Sequence, residues 1–391
     1  MLILTASKNF VLLPMNTKPY NCKSSKNIPI NTLLLLFVFV SSNLFAQTKT
    51  DSAKGNWTIS GYADVYFSGN KSDEHKQKIS NFQFNHNRYN QPALNLAYLG
   101  IAHESNSFRM EMTVHAGTYV HDNYAAESGF FRNINKAYAG VLLNKKRSMW
   151  LDVGIFPSFI GFESAVSFDN LTLTRSLLAE NSPYFLSGIR LHQKLNDNNE
   201  LNTYLLTGWQ RITMLKGNSL PSIGFQWLHF FNESTKFNWS FFAGTDQPDA
   251  NRKMRYFNNF YYQSTKKKFA YTLGFDLGFE QKMKGASSNN YWLSPVLIAQ
   301  YTLHDQLKLA GRIEKYNDPS SVITRGANNQ VLNANGISFN LDYAPTKSLL
   351  LRAEWRKLSA SNNVFQIKSG TTNNINYFII SASYKFNYLL K

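Results

Sequence analysis

Phe269-Ala270-Tyr271-Thr272-Leu273-Gly274-Phe275-Asp276-Leu277-Gly278-Phe279-Glu280 decides the fold, because its chemistry alternates at every residue. Phe269, Tyr271, Leu273, Phe275, Leu277 and Phe279 form one apolar set. Thr272, Gly274, Asp276, Gly278 and Glu280 form the other, polar or small. Side chains of a strand point to opposite faces in turn, so this segment is a strand with one greasy face and one hydrated face. The same pattern runs through Trp57–Ser68, where Trp57, Ile59, Gly61, Ala63, Val65 and Phe67 are apolar or small. It recurs in Ser107–Ala116, where Phe108, Met110, Met112, Val114 and Ala116 alternate with Arg109, Glu111, Thr113 and His115.

A soluble β-sandwich also alternates, but its strands average ~5–6 residues, whereas tilted membrane-crossing strands need ~9–11. The long runs here favour the second. Charges sit at mid-strand on the hydrated side, as a watery lumen permits. Short and long connections also take turns along the chain, the signature of periplasmic turns and extracellular loops. The sequence therefore predicts an all-β fold: an antiparallel transmembrane β-barrel of about sixteen strands over residues 57–391, with both ends of the barrel sequence on the periplasmic side. The spans 133–143, 186–195 and 254–263 alternate weakly, which leaves fourteen and eighteen as alternative counts. Other expected spans include 107–119, 200–210, 336–344 and 375–386, the last an aromatic-ended amphipathic strand with an overhang of residues 387–391. Trp57, Trp355, Tyr384 and Phe386 are placed at strand ends, at headgroup level.

Ahead of the barrel, Lys8, Lys18, Lys23 and Lys26 precede an apolar run from Leu33 to Val40, and Leu44-Phe45-Ala46 follows. That order reads as a secretion signal over residues 1–46, cleaved after Ala46, with Met1 and Met15 both compatible as its start. Residues 47–56 are then a short periplasmic segment. Removing 1–46 takes away four lysines, no acid and the single cysteine, Cys22, so the net charge of +17 falls to +13. A mature chain without a thiol excludes disulfide, thiolate-metal and cysteine-nucleophile chemistry. For an exported basic chain the expected partners are outer-membrane lipid, lipopolysaccharide and anionic solutes, not nucleic acid. The barrel-insertion machinery, which receives such a last strand, and a homo-oligomeric partner complete the expected set.

Several motifs are similar to those of a known family. Gly154-Ile155-Phe156-Pro157-Ser158-Phe159-Ile160-Gly161-Phe162-Glu163-Ser164, continuing through Arg175 to Pro183-Tyr184 and Ser187-Gly188, resembles a G-x-F…I-G-[YF]-E signature. Gly311-Arg312-Ile313-Glu314-Lys315-Tyr316-Asn317-Asp318-Pro319 resembles an R-x-E-x-[YF]-x-D strand end. Leu341-Asp342-Tyr343-Ala344-Pro345 with Arg352-Ala353-Glu354-Trp355-Arg356 resembles an L-D-Y…R-x-E-x-R hairpin. Together they resemble the β-barrel porin-2 (OmpL-like) family over about residues 55–391. The resemblance implies an outer-membrane porin and supplies no solute.

The longest marked loop, Pro157–Phe185, is the third long one. It is expected to form the pore constriction with Glu163, Asp169, Arg175 and Glu180, or else to fold over the extracellular mouth. Opposed charges across a narrow pore orient polar solutes, and one-signed rings choose among ions. Strand parity places Arg109, Glu111, His115, Arg190, Lys308, Arg312, Glu314, Arg352, Glu354 and Arg356 on the lumen side, as solute readers or as cross-strand pairs that stiffen the wall.

The function that follows is passive diffusion of small hydrophilic, and by charge anionic, solutes through an outer-membrane pore. Two rivals remain. In a phospholipase-like barrel the His103-Glu104-Ser105-Asn106 run would supply the nucleophile, but it lies in a tight turn with no third partner. A structural or adhesive barrel predicts a packed interior, against which Gly61, Gly274 and Gly278 suggest space, or relief of curvature. The scattered histidines hold no zinc spacing and no nucleotide loop appears, so no catalytic residue, metal or cofactor is expected.

Overall fold

The computed structural model describes residues 55–69, 78–144, 146, 148–367 and 370–390. The chain divides into Met1–Ser52 and Ala53–Lys391, and all described residues belong to the second unit. The expected signal and most of the expected periplasmic segment lie outside the described residues.

The alternating runs become β1 (Asn56–Gly69), β2 (Pro92–Glu104), β3 (Phe108–Ala116), β4 (Ile134–Leu142), β5 (Met149–Pro157), β6 (Phe185–Asn196), β7 (Asn199–Leu206), β8 (Ser222–Asn232), β9 (Thr235–Gly244) and β10 (Arg255–Lys266). They continue as β11 (Phe269–Gln281), β12 (Asn289–His304), β13 (Leu307–Asp318), β14 (Leu332–Tyr343) and β15 (Leu349–Ala360). A hairpin of β16 (Phe365–Ile367) and β17 (Gly370–Thr372) precedes β18 (Asn374–Leu390). Each strand of β1–β15 pairs antiparallel with the next, β15 pairs with β18, and β18 closes on β1 from Trp57↔Leu390 to Gly69↔Phe378. The result is a closed sixteen-strand antiparallel barrel. Closure leaves no unpaired strand edge, as lipid surroundings demand.

Parity sorts the two faces as read from the sequence. On β1, Val65 and Phe67 are exposed on the outer face, while Asp64 and Tyr66 are buried inside. Leu99, Ile313 and Phe339 are among the most exposed residues of the outer belt, at 58%, 55% and 59%. A belt that apolar faces lipid, since water would make it an aggregation surface.

Several placements differ from expectation, among them the strand expected over 336–344, which begins at Leu332, and that over 254–263, which runs on to Lys266. The strand expected over 107–119 stops at Ala116, because Gly117 turns with φ +132 into the helix Thr118–Asn123. That over 200–210 stops at Leu206, shortly before Gly208 at φ +156. The overhang after Phe386 is strand as far as Leu390, held by β1. Trp355 lies in the middle of β15, stacked on Phe339 at 6.0 Å, and not at a strand end. The β16–β17 hairpin, in the last long loop, had no expected counterpart.

The glycines do not mark empty space either. A Cβ on Gly274 would lie 2.3 Å from the Phe162 ring, and one on Gly278 would lie 2.0 Å from Trp292. Gly61 is covered by Phe386 on the outer face. Each glycine makes room for an aromatic ring.

Candidate functional site: the third loop inside the barrel

Residues 158–184, between β5 and β6, turn into the lumen. Phe159, Ile160 and Phe162 cannot face water cheaply, and the barrel interior offers them rings and glycines. Phe159 stacks on Tyr204 of β7 at 4.1 Å and covers Gly224 of β8. Its carbonyl accepts from Gln226 (3.1 Å) and Ser240 (2.9 Å), on β8 and β9. The Gly161 N–H donates to Asn259 of β10 at 3.1 Å. Phe162 meets Gly274 of β11 and lies edge-on to Tyr261. The Leu171 carbonyl accepts from Gln300 of β12 at 3.0 Å.

The loop then meets a charged wall on β13, β14 and β15. Arg312 donates to the Thr174 carbonyl (2.6 Å) and to Glu354 (2.8 Å). Glu354 in turn accepts from the N–H (2.7 Å) and hydroxyl (2.8 Å) of Thr174. Arg356 joins Glu314 (2.6 Å) to the Arg175 carbonyl (3.0 Å), and Glu314 accepts the Leu177 N–H at 2.6 Å. Arg352 grips Asp342 through Nε (2.7 Å) and Nη2 (2.9 Å), and donates to the carbonyls of Ser167, Asn170 and Thr172 at 2.6, 3.1 and 3.1 Å. Asn340 accepts the Leu173 N–H at 2.9 Å. All three arginines are buried. Loop backbone groups buried away from water need partners, and this wall supplies them.

Arg312, Glu314, Arg352, Glu354 and Arg356 thus point inward, but the loop covers them. They form the cross-strand pairs that were the alternative to solute reading, and they bind the loop as well. The quoted motifs meet at one contact: the loop signature on one side, the R-x-E, L-D-Y and R-x-E-x-R residues on the other.

The remaining candidates divide. Asp169 is on the chamber side of the loop, paired with Lys385 of β18 at 2.6 Å. Glu163 is buried, accepting the Ser176 N–H at 3.0 Å and the Ser176 hydroxyl. Burial pushes its carboxyl above the ordinary range, against the pull of Arg312, Arg175 and the Ser176 bonds. Arg175 lies with its guanidinium 3.6 Å over the Tyr184 ring. Glu180 accepts from the Phe84 and Asn85 N–H groups at 2.8 and 3.3 Å and from the Tyr184 hydroxyl at 2.7 Å, so it is a tie to the first loop. Arg109 and Arg190 converge on Asp152 of β5, at 2.7 and 2.8 Å. Glu111 pairs with Lys136 at 2.8 Å. His115 bonds to the Arg132 carbonyl at 3.0 Å and packs against Tyr124. Lys308 is half-buried on the inward parity of β13.

Three functional features escaped the sequence reading. Asp152 neutralises two arginines, and its parity with Trp150 and Phe156 on β5 was the available signal. Lys136 and Lys385 supply the cations opposite Glu111 and Asp169. The first loop also enters the lumen over its described residues 78–91. Ile79 and Phe82 are buried there, Gln83 donates to Tyr377 at 2.6 Å, and His86 meets Asp64 at 2.8 Å. Ser167 of the third loop shares that Asp64 at 3.0 Å. The cluster of three aromatics and three asparagines at residues 82–90 was the signal, since a solvated loop has little use for Phe82 and its neighbours.

Between the third loop and the wall of β1–β4 and β18 lies a chamber of about 730 Å3. Thr58, Ser60 and Asn387 line it near the end that carries both strand termini, and Glu163, Arg175 and Tyr184 line its far end.

The family model described as putative beta-barrel porin-2, OmpL-like, matches residues 56–386. The chain belongs to that porin family. The porin is accordingly an integral outer-membrane barrel and a channel for passive diffusion. Its fold is shared with solved porins at low identity. The anion-selective porin from Comamonas acidovorans is 9% identical with a TM-score of 0.57, covering 85% of this chain and 100% of its own. The outer membrane channel DcaP of Acinetobacter baumannii is 12% identical at 0.55, covering 87% and 99%. OmpF of Salmonella typhi, in complex with daunomycin, is 11% identical at 0.57, covering 87% and 99%. No curated protein matches the chain.

Proposed function

We propose that small hydrophilic solutes pass along the chamber side of the third loop, and that this loop sets the narrowest part of their route. The carrying observation is that most of the loop's bonds and packing run to strands β8 to β15, with single-residue ties to β1 at Ser167 and to β18 at Asp169, so that a polar chamber remains between it and β1–β4 and β18. Asp169 and Arg175 on the loop, with Glu163 behind them, face Glu111, Lys136 and Lys385 on the wall. Charges of both signs across a narrow passage give a transverse field that orients a polar solute. Glu180 is left out of this set because it binds the first loop.

Planar-bilayer recording of the purified full chain tests the reading. Stepwise currents are expected, with ion selectivity that shifts in Arg175→Ala and Glu163→Ala. Currents with unchanged selectivity in both variants would move the passage away from this loop. A correctly folded sample without steps would end the channel reading altogether. The channel needs no catalytic group. Ser105 is bonded to the backbone of its own turn at Phe108, and His103 lies against Trp57, 4.5 Å between rings. Lipid release that Ser105→Ala abolishes would favour the hydrolase rival.

Residues 1–46 fit a cleaved secretion signal, and N-terminal sequencing of outer-membrane material should begin at Gln47. The exposed apolar belt suits outer-membrane lipid and lipopolysaccharide, and β18, with Phe378, Tyr384 and Phe386 outward, suits the insertion machinery. A Vibrio cholerae neighbour, 9% identical with a TM-score of 0.54, is described in a trimer form. A homo-oligomer is proposed here too, and light scattering of detergent-folded protein would measure it.

A further inference from the structure

Arg175 differs from every other buried arginine in the lumen. Arg312, Arg352 and Arg356 each bond to a carboxylate of the wall. Arg175 is only 2% exposed, yet among the described residues it forms no ion pair, and neither its Nε nor its Nη1 has a hydrogen-bond partner. Leaving a buried cation short of acceptors is costly, and an anion that supplies them is bound correspondingly well. Two restraints hold the residue in place. Its carbonyl is fixed by Arg356, and its guanidinium carbon lies 3.6 Å over the Tyr184 ring, so its position is set in advance.

The residue lines the far end of the 730 Å3 chamber. The other cations on that chamber are already neutralised: Lys136 by Glu111, Lys385 by Asp169. Glu163 feels the Arg175 charge but makes no ion pair with it, its carboxylate accepting from the Ser176 N–H and hydroxyl instead. One open cation suits one negative charge. The lining of the same chamber includes Leu96, Tyr119, Ile160, Phe162 and Tyr184, with Tyr184 directly under the Arg175 guanidinium. An inorganic ion has no use for such surface, whereas the carbon body of an organic acid does.

We propose that Arg175 and this far end of the chamber form a binding subsite for the carboxylate of a small organic monoacid, which is thereby selected as a permeating solute. The proposal rests on the channel reading above. Its test therefore includes a measurement that needs no current.

Benzoate serves as the probe, with neutral benzamide as its uncharged counterpart and inorganic phosphate as an anion without an apolar body. In planar bilayers carrying chloride current, benzoate should interrupt single channels at a concentration at least tenfold lower than benzamide or phosphate. Arg175→Gln should raise the half-blocking concentration of benzoate at least tenfold. Arg175→Lys, which keeps the charge and serves if the glutamine variant fails to fold, should raise it by less. Calorimetric titration of the detergent-folded full chain with benzoate should show the same order of affinities. Binding without channel steps would uphold the subsite while ending the channel reading. Equal block by benzoate and benzamide, equal block by phosphate, or a folded Arg175→Gln chain within twofold of the parent would each overturn the subsite.

Discussion

Replacing Arg352 with Met tests how the third loop is held. The side chain is buried at 3% exposure and makes five hydrogen bonds: two to Asp342 and three to the carbonyls of Ser167, Asn170 and Thr172. Met fills much of the same volume but returns none of these bonds. Asp342 would keep only Asn340 at 2.6 Å and Gln300 at 3.3 Å while remaining buried, and three loop carbonyls would lose a donor. Removing one member of a buried ion pair costs about 3–5 kcal/mol. When the loop leaves the wall, water reaches both Asp342 and the carbonyls, so nearly all of that cost falls on the bound state. At 1.4 kcal/mol per factor of ten, the loop's docking equilibrium shifts by about two to three and a half orders of magnitude. Single-channel recording should then show a larger mean conductance with rapid flicker between levels. A folded Arg352→Met chain with the parent's conductance and the parent's quiet open state would mean that Arg352 does not hold the loop.

Three further outcomes follow from the same contacts. Burial raises Glu163, so its contribution to docking is complete below the ordinary glutamate pKa and is lost as pH rises through the raised value. Flicker should therefore grow as pH climbs above the ordinary glutamate value of about 4.3, and Glu163→Gln should flatten that trend; quieter channels at high pH would contradict it. Burial pushes Asp122 upward, but hydrogen bonds from Arg88, Lys78 and His121 outweigh it and hold the carboxyl well below the usual range. Its hold on the first loop should be present above the ordinary aspartate pKa and fade as pH falls through the depressed one, read as faster amide exchange over residues 78–91 in acid; Asp122→Asn should exchange fast at all pH values. Gly274→Leu drives a side chain into Phe162 and should cost about 1–3 kcal/mol of stability, measured by thermal unfolding in detergent; an unchanged midpoint would show that the ring does not sit there.

The barrel was legible because a period of two repeats in every strand and each repeat votes for the same architecture. Even β4, with its weak pattern, was placed by the turns around it. Ends were less legible: Gly117 and Gly208 stop their strands by backbone geometry, while the apolar run Tyr119–Val120 still suggests continuation. The inward side of Arg312, Glu314, Arg352, Glu354 and Arg356 was readable from parity alone. What covers them was not, because a contact between residue 174 and residue 354 leaves no local trace in either segment. The same limit hid the pairing of Asp169 with Lys385 and the shared use of Asp152 by Arg109 and Arg190. The first loop was missed for a different reason: without a period, only the cost of exposing Ile79 and Phe82 pointed inward.

The third loop is fastened to the inner wall by its own backbone. Cross-linking measures this directly, since the chain's only cysteine is Cys22, within the expected signal. Leu173→Cys and Asn340→Cys together should link through a short thiol-specific reagent in the folded barrel, and the linked channel should lose none of its quiet open state. Failure to link, with the thiol introduced at position 173 instead labelled rapidly by a membrane-impermeant maleimide added outside the cell, would place the loop at the mouth and contradict the account.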